Sequence, residues 1–238
     1  MTQPAVDPIH IAYLLFPNVT QLDLTGPAQV LSRLGNATID LVAQSLDPVP
    51  TDAGFALLPT ATFATARAPD ILCVPGGFGT SDAIEHAATL AWVTKAAQQA
   101  RWVTSVCTGS LILGAAGLLR GYRATTHWAS HHLLEQFGAV PVRERIVFDR
   151  NRVTGGGVTA GIDFALALTA AIRGDDHARL VQLSLEYDPA PPFDAGSPGR
   201  AGDTIVARYR ALAARSSTDR EERMAAAAAR LNAWRADP

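Results

Sequence analysis

The segment Ser105-Val106-Cys107-Thr108-Gly109-Ser110 carries the most specific chemistry of this 238-residue chain. An apolar, strand-like run from Trp102 to Val106 breaks at Cys107 into a small-residue, helix-forming run from Leu111 to Leu119. Ser105 and Gly109, two before and two after the cysteine, allow the cramped strand-to-helix turn that exposes a nucleophile at the end of a strand. At such a turn, unpaired N–H groups and the positive end of the helix dipole lie beside the sulfur and lower its pKa, making Cys107 a candidate catalytic thiolate. The competing expectation is a small buried hydrophobe, the usual fate of a lone cysteine.

Other candidates follow strand-like runs, where an open parallel sheet gathers its ligands. Asp23, in Leu22-Asp23-Leu24-Thr25-Gly26-Pro27, is a carboxylate in an apolar setting; the alternative is a helix cap near Pro27. Gly76 and Gly77 can offer backbone N–H groups to developing negative charge, or simply form a tight turn. Thr154 to Gly157 bring further backbone to the start of a helix. His127, in Ala124-Thr125-Thr126-His127-Trp128, could be the base of a Cys-His pair. Such a histidine is more often structural or at the surface, and His127 is given a secondary role. The histidines, including His131-His132, lack zinc-site spacing with the cysteines, and the glycine run does not match the dinucleotide fingerprint. Neither a metal nor a nucleotide cofactor is expected.

These residues need a scaffold, and the chain alternates strand-like with helical runs as a parallel sheet covered on both faces does. Strands are expected at Ile9 to Phe16, Ala37 to Ala43, Asp70 to Val74, Trp102 to Val106, Arg123 to Thr126, Arg145 to Phe148 and Arg152 to Thr154. A hairpin is expected over Val49 to Phe63. Helices are expected at Pro27 to Leu34, Ala87 to Ala100, Thr159 to Ile172 and Asp175 to Glu186. After Tyr187 a proline- and glycine-rich connector leads to two alanine-rich helices, Asp203 to Arg215 and Thr218 to Trp234, the last expected to be a solvated tail. The domain reading is a catalytic domain over residues 1–195 and a helical extension over 196–238.

A net charge of −2 gives no electrostatic footprint for nucleic acid. No apolar run approaches a membrane span and residues 1–8 lack a leader pattern, so a cytoplasmic location is expected. The two cysteines, Cys73 and Cys107, each end a strand-like run, which suits reduced thiols better than a disulfide.

The motifs at 22–27, 75–79, 106–109 and 124–128 together resemble the DJ-1/PfpI superfamily. With Thr154 to Asp163 and the Glu186 to Pro192 segment, they are most similar to its isonitrile hydratase branch, over about Ile9 to Phe193. The resemblance implies an α/β, flavodoxin-like three-layer sandwich with a mostly parallel central sheet. It also implies a cofactor-independent enzyme that hydrates a small-molecule isonitrile, and a homodimer with its sites near the subunit interface. Cys107, Asp23 and Thr108 would be catalytic, with Gly76, Gly77 and the Gly157 to Ala160 backbone, Val158 included, lining the pocket. Cys107 would attack the terminal carbon while protonated Asp23 donates to it. Protease-like members carry histidine where this chain has Thr108, and glyoxalase-like and DJ-1-like members carry glutamate at the place of Asp23. The alternatives are a glyoxalase-like activity on α-oxoaldehydes and a cysteine-based redox sensor or regulatory binding module. Similar motifs occur in regulators fused to helix-turn-helix pairs; from the length of the tail, the stand-alone enzyme is the expectation.

Overall fold

The structure, a computed structural model, describes residues 7–216 and 219–236. Seven strands form one sheet: β1 (Ile9–Leu14), β2 (Ala37–Ala43), β3 (Ala61–Thr62), β4 (Ile71–Val74), β5 (Trp102–Val106), β6 (Ile146–Asp149) and β7 (Arg152–Gly155). Their spatial order is β6-β7-β5-β4-β1-β2-β3, and every pairing is parallel except β6 with β7. β4 is apolar on both faces, and so is β1 beyond His10, as strands buried between two helical layers are. From β1 the chain runs outward to β2 and β3, then returns to β4 on the other side. The carboxyl ends of β1 and β4 therefore flank a topological switch point, where such sheets bind ligands.

One helical layer contains α1 (Gln21–Leu31), α5 (Ala160–Arg173) and α6 (Asp175–Ser184). The other contains α2 (Thr80–Glu85), α3 (Ala87–Gln99), α4 (Gly109–Ala115) and a 3-10 segment, Trp128–Phe137. This is the expected three-layer sandwich.

Three expected elements differ. α1 begins at Gln21, so Pro27 lies inside the helix and Asp23 in its first turn. Proline there removes only the hydrogen bond to the Asp23 carbonyl, and the crossing with α5 compensates: a Cβ on Gly161 would lie 3.0 Å from Pro27 Cδ. That close crossing fixes α1, and with it Asp23. The hairpin over 49–63 narrows to Val49–Pro50 paired with Ala56–Leu57, while Ala61–Thr62 joins the main sheet. Arg123–Ala124 pairs with Val140–Pro141 outside that sheet.

The C-terminal extension comprises α7 (Pro198–Ala201), α8 (Asp203–Ser216) and α9 (Arg220–Ala236). The expected solvated tail is corrected here, because α9 is docked. Met224, Ala227, Ala228 and Leu231 are buried at i, i+3, i+4 and i+7, a stripe packed on α2, α4 and the 3-10 segment. The Arg223 guanidinium spans Asp82 and Glu85, each at 2.6 Å, and Arg120 donates to Asn232 Oδ1 at 2.6 Å. Met224→Ala is expected to cost about 2–4 kcal/mol in denaturant unfolding; a frayed helix would give no change.

Candidate active site

Cys107 leaves β5 in the left-handed region, at φ +55°, a conformation that costs a non-glycine residue of order 1–2 kcal/mol. Hydrogen bonds on both sides hold it there. Its N–H donates to the carbonyls of Gly156 at 2.7 Å and Gly155 at 3.1 Å, and its carbonyl accepts from Thr126 Oγ1 at 2.8 Å and Ser110 Oγ at 3.2 Å. At the start of α4, a Cβ on Gly109 would overlap the Val74 carbonyl oxygen, so only glycine permits the turn. The sulfur-bearing elbow read from the sequence is present.

Asp23 reaches the same place from the first turn of α1. It is 1% exposed and Cys107 6%. Its Oδ2 accepts the Gly76 N–H at 2.9 Å, whereas Oδ1 is buried without a regular hydrogen-bond partner. Beside this carboxyl lies the Cys107 thiol, close enough that each group alters the ionisation of the other.

Burial dominates the electrostatics. It pushes Asp23 up from its ordinary 3.8 to about 7, with a further push from Asp52 and an opposing pull from the Gly76 N–H and the Cys107 thiol. The Cys107 thiol is also pushed up, by burial first and then by the negative charge of Asp23. The Thr108 N–H and hydroxyl favour the thiolate but are outweighed. The lowered thiol expected of the elbow is therefore not found, because α4 has only seven residues and its dipole does not overcome desolvation. Both groups therefore resist ionisation, and near neutral pH the pair retains at least one proton.

Thr108, Gly76 and Gly77 also converge here. The Thr108 hydroxyl oxygen accepts the Gly77 N–H at 3.1 Å and lies 2.7 Å from Thr80 Oγ1. With the Gly76 N–H committed to Asp23, neither glycine offers the open donor that the sequence suggested. The Gly157 and Val158 N–H groups, just beyond the Gly156 carbonyl that holds Cys107, have no partner among the described residues. His127 does not pair with Cys107. Its Nδ1 accepts the Ala129 N–H at 3.3 Å at the start of the 3-10 segment, and burial, then Arg220, lower its pKa. Cys73 lies buried in β4, its sulfur accepting from Thr104 Oγ1 at 3.2 Å.

Sequence reasoning missed Thr80, Thr126 and Tyr209. Thr80 lies just outside the 75–79 motif, and Thr126 lies within the 124–128 motif, where His127 is the residue with evident chemistry. Tyr209 lies on α8, far along the chain, yet near enough to Cys107 for a negative sulfur to raise its phenol, after burial has done so. A cleft of about 350 Å³ lined by Phe16, Pro17, Val49, Phe63 and His86 contains neither Cys107 nor Asp23.

A three-layer α/β sandwich with a cysteine on a strand-to-helix elbow and a buried carboxyl beside it defines the class of protein. The chain belongs to the DJ-1/PfpI family, whose pattern matches residues 10–171. It is 54% identical over 224 residues to the isonitrile hydratase of Pseudomonas putida, covering 94% of this chain and 98% of that protein. The HTH-type transcriptional regulator GbdR of Pseudomonas aeruginosa is 33% identical over 189 residues, 75% of this chain but 50% of the regulator. Among solved structures, a THiJ/PfpI family protein from Pseudomonas syringae superposes with a TM-score of 0.86 at 46% identity, covering 94% of this chain and 92% of that one.

The raised carboxyl carries a stability consequence. The folded pKa of Asp23 exceeds its unfolded value, so the folded state binds the extra proton, and stability falls as pH rises from about 4 through about 7. Asp23→Asn removes this loss. Between pH 5 and pH 8 the wild type is expected to lose roughly 2–3 kcal/mol more than the variant. Denaturant unfolding of both proteins at the two pH values checks it, and equal changes would contradict the assignment.

Proposed function

We propose that this chain hydrates isonitriles, R–N≡C, to N-substituted formamides. The observation that carries the reading is the buried Cys107–Asp23 pair, a nucleophile and a carboxyl that can pass one proton between sulfur and substrate. The extensive identity to the Pseudomonas putida isonitrile hydratase supports it.

Addition begins with the ionised carboxylate. Asp23 takes the thiol proton as Cys107 Sγ forms a bond to the terminal carbon, then delivers that proton to the same carbon. The product is an enzyme-bound thioimidate, R–N=CH–S–Cys107. Water then adds to its carbon with Asp23 as base. The C–S bond breaks, the nitrogen gains a proton, and R–NH–CHO leaves with the thiol restored. The reaction so written calls for no metal or organic cofactor. Thr108 steadies the sulfur and the Gly76–Gly77 turn, Gly76 orients the carboxyl, and the open N–H groups of Gly157 and Val158 face the adduct. Gly77 acts through Thr108, and His127 does not act as a base.

This reading keeps the division into a catalytic domain, 1–195, and an extension, 196–238. It also keeps the cytoplasmic homodimer: a free nucleophilic thiol suits a reducing compartment, and the exposed Leu180, Leu183 and Phe193 offer apolar surface for a second copy.

Purified protein incubated with aryl and alkyl isonitriles is expected to release the matching formamides, detected by mass spectrometry. Cys107→Ala should abolish release, and Cys73→Ser should preserve it. Formation of lactate from methylglyoxal by a Cys107-dependent route, with no formamide, would replace this reading by the glyoxalase one. The value of kcat/KM should rise about tenfold per pH unit below about 7 and level off above it, because Asp23 must be ionised to accept the thiol proton. Asp23→Asn should lose most activity and, with it, that inflection.

A further inference from the structure

Three rings meet beside the nucleophile. Thr126, whose hydroxyl holds the Cys107 carbonyl, is followed directly by His127. The Gly157 backbone faces the His127 ring so closely that a Cβ there would lie 3.4 Å from Cδ2. The His127 ring is centred 5.7 Å from Trp128 and 6.0 Å from Tyr209, and Trp128 and Tyr209 lie 5.0 Å apart. All three are tilted, at 34–46°, so none closes face-to-face on another.

This cluster differs from a structural core. Phe137 and Phe164 are fully buried, whereas Tyr209 is 41% exposed and His127 and Trp128 are half-buried. Arg210 stands over the Trp128 ring at 6.0 Å, too far to close that face, and an aromatic group this exposed next to a reactive atom is a surface for an apolar ligand. Its charge state fits the same purpose. Burial and Arg220 keep His127 below its ordinary pKa, so it presents a neutral ring at neutral pH. The Tyr209 ring comes from α8, which the docked α9 follows.

We infer that His127, Trp128 and Tyr209 form an aromatic wall that receives the R group of the substrate and favours a planar ring over a small alkyl group, with Tyr209 as the specificity-determining residue. The inference rests on the isonitrile reading for the identity of the substrate, but not for the existence of the wall. The terminal carbon sits at Cys107 Sγ, and the substituent at the other end of the linear R–N≡C unit lies along the rings. The C-terminal extension thereby supplies part of the binding site.

The test measures selectivity on the full chain in two independent ways. Alkylation of Cys107 by N-phenylmaleimide and by N-methylmaleimide is followed by peptide mass spectrometry, and kcat/KM is measured for phenyl and methyl isocyanide. In Tyr209→Ala the phenyl-to-methyl ratio is expected to fall about fivefold to tenfold in both assays. Tyr209→Phe should keep the wild-type ratio, and Trp128→Leu should lower it as well. Equal losses on phenyl and methyl reagents, or an unchanged ratio in Tyr209→Ala, overturn the wall. A Tyr209→Phe variant as impaired as Tyr209→Ala assigns the effect to the hydroxyl and overturns it too. If wild-type protein hydrates neither isocyanide while the maleimide ratio responds as expected, the wall stands and the isonitrile reading falls.

Discussion

A thiol and a carboxyl are sealed together with no cation beside them among the described residues, and the rest of the site is arranged around that constraint. The charges acting on Asp23 come from Asp52, and on Cys107 from Asp23; the opposing pull comes from the Gly76 N–H and the thiol on Asp23, and from the Thr108 N–H and hydroxyl on Cys107. In such surroundings two negative charges cannot coexist, so the pair holds at least one proton over the neutral range. Burial pushes both groups up, Asp23 to about 7, where the elbow pattern had suggested a lowered thiol and a protonated acid. The proposed addition is indifferent to that difference: one proton must leave sulfur and arrive on carbon, and Asp23 lies between them in either tautomer.

Holding two reluctant ions together requires a rigid frame, and the turn after β4 supplies it. The Gly76 N–H binds Asp23, and the Gly76 carbonyl accepts from the Thr20 N–H at 2.9 Å. The Gly77 N–H binds Thr108, and the Gly79 N–H donates to the Asn18 carbonyl at 3.1 Å. One short turn thus ties the entrance of α1 to the entrance of α4, so the carboxyl and the thiol cannot drift apart independently. The cost is that donors suited to an oxyanion are used for positioning, which leaves that role to the backbone opening α5.

Much of this was legible in the sequence, for physical reasons. Strands buried on both faces read as largely apolar runs, so β1, β4 and β5 were located within a few residues, as was the elbow after β5; β2, only partly buried and carrying Thr38 and Asp40, was located by its β-branched and aliphatic residues. The start of α1 was misplaced because Pro27 resembles a first-turn proline, and only the packing of Gly161 against it shows why the helix continues through. The stripe Met224, Ala227, Ala228 and Leu231 was present in the sequence but is hidden among alanines, which carry little periodic contrast. The direction of the thiol shift was not legible at all. It depends on how dry the site is, which is a property of the packed chain and not of the motif. Tyr209 illustrates the same limit, since nothing local marks a tyrosine on an alanine-rich helix as a neighbour of Cys107.

The same dryness bears on the rival chemistries. A sensor cysteine reacts with oxidants as an exposed thiolate, and Cys107 is 6% exposed with its thiol pushed up by burial and by Asp23. An α-oxoaldehyde brings two carbonyl oxygens that need donors; the Gly76 and Gly77 N–H groups are occupied and His127 is turned to the start of the 3-10 segment, which leaves the Gly157 and Val158 N–H groups for both oxygens. An isonitrile brings no oxygen and no charge, and its terminal carbon needs only a nucleophile and a proton. A site that stores one proton between two buried groups and offers rings to an apolar substituent is better matched to that substrate than to either rival.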